Sequence, residues 1–480
     1  MKNFTTINAL LTLTLLFAFA GAVVADEKEK APGATESADS GLLQVLHHSK
    51  LPATMPCERI AVGGKMGYKP NMVKLSNGEL LMANFHTHYE TQSDGSMCDH
   101  TVLHRSTDNG KTWTSKHFDH LPGKEPYLNV LGDVLIMTAH IYPPDIHAIP
   151  GRTTAWLHRS EDGGHSWTSQ VLDIDRIPEK VEMTYSSRNI IQLDDGSYAL
   201  GIGCGKGRDY LFISNDQGKN WAPEKMKVSG FDDRAYDWSI LGEGVFFRTE
   251  TGRLLLLARC EVRNMQGLDK NLPGLPDFDF SNASTIDRYD IEIIFESKDN
   301  GRSWSPHSAI PLVGCMYPSV CDIGGGKYLL TFTKRVPSHG LELGVYACFL
   351  EEQEDGLMKA DIENDLIVIS QRTQPYLQSG GGFGNTLLLD DGSLITPYSY
   401  YHAVPEIDAL MKSGDFRNQE TYTLYRERAL PYYRRWVTPL TWESFVKQDL
   451  AMQTHWFLGS CQVLNLCGPA TEVARWELAS

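Results

Sequence analysis

The octapeptide Ser106-Thr107-Asp108-Asn109-Gly110-Lys111-Thr112-Trp113 recurs three more times, as Ser160 to Trp167, Ser214 to Trp221 and Ser297 to Trp304. Every copy keeps Ser, Asp, Gly and Trp at the spacing S-x-D-x-G-x-x-W. The short polar side chain and the Asp bond the turn backbone, the Gly permits positive φ, and the Trp re-enters the core. One copy arises easily by chance. Four copies make the chain a repeat protein built on anchored hairpin turns.

A second repeat interleaves with the first: an apolar-rich run, a Gly turn and another such run. These hairpins run from Asn71 to Ala83 about Gly78, Leu128 to Ala139 about Gly132, and Asn189 to Gly201 about Gly196. The later ones run from Val245 to Ala258 about Gly252, Val320 to Thr333 about Gly326, and Thr386 to Tyr398 about Gly392. Six hairpins, roughly sixty residues apart, predict an all-β chain with six sheet units of about four strands. Radial closure leaves only short, protected edges, so the expected architecture is a six-bladed β-propeller. A two-sheet sandwich gives no reason for two interleaved repeats.

The ends are expected to differ from the middle. Residues 1–25 read as a secretory signal peptide, with Lys2, an apolar run from Ile7 to Ala20 and small residues before Asp26. Residues 26–50 read as a flexible leader, 51–436 as the propeller, and 437–480 as an extension that matches neither repeat, its role open between closing the ring, packing beneath it and poor order. Past the leader no segment reads as a membrane span, so a secreted or periplasmic protein is expected. The formal net charge of −16 argues against nucleic acid as a partner. The nine cysteines are an odd number, and Cys315 with Cys321, or Cys461 with Cys467, are close enough in sequence to pair.

Ligand sites of propellers lie where strand ends of several blades converge. Glu243 stands nine residues before Gly252 and Arg259 seven after it, so both fall at one open end of the fourth hairpin. The same register places Lys69, beside Tyr68, together with Ser187, Tyr317 and Phe383 on the incoming strands. On the outgoing strands it places Asn84, His86, His88, His140, Lys334, Arg335, Tyr398 and Tyr400. Such a mouth is polar, aromatic and locally basic in an acidic protein, which suits an anionic or highly hydroxylated ligand.

The S-x-D-x-G-x-x-W turns resemble the Asp boxes, or BNR repeats, of the sialidase (neuraminidase) superfamily. In that family the boxes lie away from the active site and report the fold. Glu243 and Arg259 resemble the family's glutamate and the arginine that follows it about sixteen residues on. Asp94, in Ser93-Asp94-Gly95-Ser96, fits the place of the acid/base aspartate. The chain departs from the pattern elsewhere. Tyr68-Lys69-Pro70 replaces an Arg-Ile-Pro segment, the region Ser338-His339-Gly340-Leu341 offers no third arginine, and Phe383 stands where the family has its tyrosine nucleophile.

The resemblance implies a secreted exo-glycosidase acting on an acidic sugar of sialic or uronic acid type. Asp94 is expected to protonate the leaving oxygen, with Glu243 as nucleophile or as base for water. Arg259, helped by Lys69, Lys334 or Arg335, is expected to hold a carboxylate or sulfate. Tyr317, Tyr398 or Tyr400 offers a phenol in place of Phe383. Two other classes stay open: a non-catalytic carbohydrate-binding propeller, and a polysaccharide lyase using a histidine base with Tyr400 as acid. His86, His88 and His140 are expected to approach one another, which admits a metal. Strand histidines serve more often as hydrogen-bonded fillers or sugar contacts, so neither metal nor cofactor is expected. The loop Pro276-Asp277-Phe278-Asp279-Phe280 is a candidate to overhang the mouth.

Overall fold

In the computed structural model each repeated octapeptide closes the turn between the third and fourth strands of a sheet. The serine hydroxyl accepts from the glycine N–H at 2.8 to 2.9 Å, and the indole N–H donates to the glycine carbonyl at 2.8 to 3.1 Å. An Asp oxygen accepts from the N–H of the residue before Trp at 2.7 to 2.9 Å. The glycine does more than relax φ. A Cβ on Gly110, Gly164, Gly218 or Gly301 would meet Ile395, Leu81, Ile136 or Leu211, each on the neighbouring hairpin group. Gly218 has φ +78°, and its Cβ would lie 2.2 Å from Ile136 Cδ1. Gly218→Ala is therefore expected to destabilise the fold by about 1–3 kcal/mol. A urea midpoint equal to wild type would contradict this.

The turn carboxylates also set an acid response. Hydrogen bonds from Thr112, opposed by partial burial, hold Asp108 down to about 2, and Asp162, Asp216 and Asp299 are depressed in the same way. A folded value below the unfolded one contributes stability above the ordinary carboxylate range. That contribution is lost as pH falls towards about 2. The urea midpoint is expected to drop across that window, and less steeply in Asp108→Asn.

The structure describes residues 41–65, 67–88, 98–141, 145–149, 152–179, 181, 184–204, 208–229, 240–261, 268–277, 290–336, 338–371, 382, 384–414, 417–424, 426–427, 441–447 and 467–478. The first sheet contains Tyr68–Lys74, Leu80–His88, Cys98–Ser106 and Thr114–Pro122 in that order. The second contains Lys124–Leu131, Val134–Ile141, Thr154–Ser160 and Thr168–Val171, and the third Tyr185–Gln192, Tyr198–Gly203, Asp209–Ser214 and Ala222–Lys225. In the fourth, Val245–Arg248, Leu254–Glu261, Asp290–Ser297 and Ser303–Ala309 are joined by the short parallel strand Lys227–Val228. The pairing within all four main groups is antiparallel.

The fifth and sixth hairpins share one larger sheet. Its path runs through Cys315–Gly324, Lys327–Lys334, Gly344–Glu352, Leu366–Ser370, Leu42–Leu46, Thr54–Lys65, Cys467–Trp476, Leu394–Ala403 and Leu387–Leu388. Two expectations are corrected here. Residues 41–50 belong to the fold, with Leu42–Leu46 a paired strand, so the leader does not extend to residue 50. Nor is residue 436 the last of the sheets, because Cys467–Trp476 pairs with Thr54–Lys65 on one side and Leu394–Ala403 on the other. That strand is buried continuously from Pro469 to Ala474, and Val473, Ala474 and Trp476 join the core. Among the described residues, the short helices Pro405–Ser413, Gln419–Leu424 and Trp442–Val446 lie between the sixth hairpin and this strand.

The core lies between neighbouring groups. Leu81 and Leu103 pack with Leu128 and Met137; Ile136 and Leu157 with Leu200 and Phe212; Leu211 with Leu256 and Trp304. Leu255 and Ile294 pack with Leu330 and Tyr346, Leu329 and Ala347 with Leu394, and Ile395 and Val473 with Met72 and Leu80. Side chains also join adjacent first strands. Asn71, Asn129, Asn189 and Asn385 accept from the N–H groups of Leu128, Ile190, Phe246 and Met72 at 2.6 to 2.8 Å, and Ser319 accepts from Thr386 at 3.3 Å.

Cys315 and Cys321 are both buried free thiols, so the pairing considered for them does not form. Burial pushes the Cys315 thiol up to about 12. The signal segment, Asp94, Phe383, residues 278–280 and Cys461 lie outside the described residues. No helix among the described residues is long and apolar enough to cross a membrane.

Candidate functional site

The first strands of the first, second, third and fifth hairpin groups each carry extra residues against their partners, between Tyr68 and Asn71, Lys124 and Tyr127, Ser186 and Ile190, and Met316 and Ser319. Such bulges re-aim side chains. Four non-glycine residues at this level have left-handed backbone: Lys69 (φ 50°), Glu125 (56°), Glu243 (72°) and Tyr317 (59°). Each costs on the order of 1 kcal/mol or more, and such strain persists only where the surroundings hold it.

These residues meet. Arg188 lies at the centre, 2 % exposed, with Nη1 2.8 Å from Glu125 Oε2 and Nη2 2.8 Å from Glu243 Oε1. Its guanidinium carbon sits 3.8 Å from the centroid of the Tyr317 ring, a stacked cation–π contact. Glu243 Oε2 receives Arg259 Nη1 at 2.5 Å, and Arg259 Nε donates to Asp290 Oδ2 at 2.8 Å. Lys69 Nζ pairs with Glu125 and lies 5.7 Å from the Tyr68 centroid. The backbone fixes the two halves: Arg188 N–H donates to Gly244 O at 2.7 Å and Glu243 N–H to Ser186 O at 3.2 Å. The sixth hairpin joins through Ser399 Oγ, which accepts from Lys69 N–H at 3.0 Å.

The electrostatics follow from this packing. Burial opposes ionisation of Glu243, but Arg188 and Arg259 hold its carboxyl below the ordinary value. Glu125 is held well below its ordinary value by Lys69 and Arg188, again against burial. Burial lowers Lys69 and raises the Tyr317 phenol. Glu292, 1 % exposed and opposite Arg259 in the ladder, goes the other way: burial and the neighbouring Asp290 push it well above the ordinary value. The site thus sets Lys69, Arg188 and Arg259 among Glu125, Glu243 and Asp290, with Glu292 beside them as the carboxyl that its surroundings push upward.

The cluster collects Tyr68, Lys69, Glu243, Arg259 and Tyr317 of the expected residues. Arg335 reaches its edge, with Nη1 3.1 Å from the sulfur of Met316. His140 lies beside it; Nε2 accepts from Ser186 N–H at 2.9 Å, and burial lowers the imidazole to about 4. The other expected residues are placed elsewhere. Lys334 is buried and donates to Val313 O and Ser338 Oγ, both at 2.7 Å, so its ammonium anchors a loop. Tyr398 is fully buried, bonded to Arg59 at 2.6 Å and to Glu472, which ties the sixth hairpin to the flanking strands. Tyr400 packs, partly buried, against the core cluster that contains Leu43 and Ile367. His86 lies with His100 and His117, not with His140, and the side chain of His88 is not described. A surface cavity of about 650 Å³ lined by Met55, Pro56, Arg475 and Trp476 shares no residue with the cluster.

Glu125 and Arg188 were not among the expected residues. A tight turn pairs Leu131 with Val134 and shortens the second hairpin, so Glu125 stands seven residues before its Gly instead of nine. The dipeptide Glu125-Pro126 repeats the pattern of Lys69-Pro70 and Tyr317-Pro318, a signal by which it was findable. Arg188 lies one residue past the expected register, because the third bulge sets three residues against one.

Comparison with known proteins reports on the fold. No protein-family model matches the chain, and no curated protein matches it in sequence. A protein of unknown function from Dyadobacter fermentans DSM 18053 is similar over 72% of this chain and 93% of its own, with 17% identity and a TM-score of 0.50. Two sialidases are also similar. The Hadza microbial sialidase Hz136 has 16% identity and a TM-score of 0.44 over 70% of this chain, and the NanB sialidase of Streptococcus pneumoniae has 12% and 0.47 over 71%. The chain spans 63% and 66% of the lengths of those two enzymes. At such identities the likeness concerns the nearly all-β architecture of antiparallel sheets.

Proposed function

We propose that the chain is a six-bladed propeller acting as a sialidase-like exo-glycosidase on an acidic sugar. The cyclic order of the cores and of the asparagine contacts supports the ring. The observation that carries the functional reading is the buried group Arg188–Glu243–Arg259, with Tyr317 stacked on Arg188. Two guanidiniums and Lys69 gathered at converging strand ends suit a sugar carboxylate, and bidentate pairing suits arginine.

Without substrate, Glu243 is a weak base because two arginines share its charge. An arriving carboxylate competes for those guanidiniums. Glu243 then regains proton affinity and activates water or the Tyr317 phenol, while Asp94 protonates the leaving oxygen. Neutral glycosides lack the group that triggers this exchange. The four turns serve as Asp boxes that hold the blades, and the N-terminal segment as a signal peptide for export. A carbohydrate-binding propeller without turnover is the second reading, favoured by the full pairing of Glu243 and the burial of the Tyr317 hydroxyl.

A panel of fluorogenic sialosides, uronides and neutral glycosides tests this. Release from an acidic member and not from its neutral analogue is expected, falling about 100-fold or more in Glu243→Gln. Saturable glycan binding without release would establish the second reading.

A further inference from the structure

We propose that His86, His100 and His117 bind one divalent transition-metal ion of the zinc class. The three side chains come from adjacent strands of the first sheet, Leu80–His88, Cys98–Ser106 and Thr114–Pro122. His86 and His100 are direct partners across the ladder. His117 faces Val102, two residues along from His100, so period-two alternation puts all three on one face.

One ring nitrogen from each residue lies within 4.8 Å of the other two. His117 Nδ1 and His100 Nε2 are 3.4 Å apart, long for a hydrogen bond between imidazoles. Two ligands about 2.0–2.1 Å from a tetrahedral metal are separated by about 3.3–3.4 Å, so this pair already has the edge of such a site. The ring centroids are 5.3 to 5.9 Å apart, and small rotations of His86 bring its nitrogen to the same edge.

The donor set names the ion. Three imidazole nitrogens suit Zn²⁺, Co²⁺, Ni²⁺ or Cu²⁺, and offer nothing to Ca²⁺ or Mg²⁺, which take oxygen. His100 is 2 % exposed, His86 is half-buried and His117 is exposed, so the site opens to solvent on one side. A fourth position there takes water or an exogenous ligand. The site shares no residue with the arginine–carboxylate cluster and does not depend on the glycosidase reading.

The test is chelator-treated full-length protein titrated with Zn²⁺ and with Co²⁺, read by calorimetry and by the visible spectrum of bound Co²⁺. The sequence contains 16 histidines, so variants are needed to locate the ion. One ion per chain is expected, with a tetrahedral Co²⁺ spectrum. Loss of a ligand in His117→Gln or His86→Gln should weaken binding about 10-fold or more, since even outer partners of a metal ligand matter that much. His117 is exposed, so His117→Gln should fold as wild type does. Absence of Zn²⁺ and Co²⁺ binding, or a loss smaller than about 10-fold in both variants, would overturn the assignment.

Discussion

Arg188→Met is expected to destabilise the protein by about 3–5 kcal/mol, the cost of removing one partner from a buried ion pair. The residue is 2 % exposed and separates Glu125 from Glu243, so no water shell replaces it. Lys69 and Arg259 remain, but each already serves one of the carboxylates. Two buried, under-compensated carboxylates hold protons more tightly in the folded state than in the unfolded chain. The added instability should therefore grow as pH rises through the ordinary carboxylate range, and shrink below it. Adding Glu125→Gln and Glu243→Gln to the variant should restore part of the loss. Urea midpoints across pH check all of this, and a change under about 1 kcal/mol would equate the cluster with surface ion pairs.

A chain ending at residue 466 should fail to reach the native fold. It loses the strand Cys467–Trp476, which bonds to strands on both sides, and with it the buried Val473, Ala474 and Trp476. Two long edges would then face solvent, a state that invites aggregation. Thermal melting and near-ultraviolet circular dichroism decide the matter, and a cooperative transition within a few degrees of the full chain would contradict it. A milder lesion, Trp476→Ala, should cost about 3–5 kcal/mol.

The contrast between these two sites shows what was legible in the residues. The turns and hairpins were, because each is a local pattern in which Ser, Asp, Gly and Trp must stand at fixed offsets. Glu243, Lys69 and Tyr317 are legible because each stands nine residues before its Gly turn, and Arg259 because it leaves the same turn seven residues on, at the level of Glu243. Glu125 and Arg188 were missed because a shorter turn and a wider bulge each shift the count. Lys334 and Tyr398 keep the register yet serve the fold, since register fixes a level along the strand and not what a side chain meets there. The closing strand carries no repeat motif, and its partners Thr54–Lys65 are remote in sequence. The histidine group needed the diagonal offset between His117 and His100, which only strand pairing supplies.

Pairing Cys57 with Trp476 has a consequence in time. About 400 residues separate Lys65 from Cys467. At about 5–20 residues per second, roughly 20–80 s of synthesis elapse before the waiting strand meets its partner. The early sheets can form while the chain grows, but the closed molecule is a product of events after residue 476 has emerged. Contacts so distant along the chain fold slowly. The nascent protein therefore spends its first minute as an open arc, and whatever receives it in that interval meets an unfinished molecule.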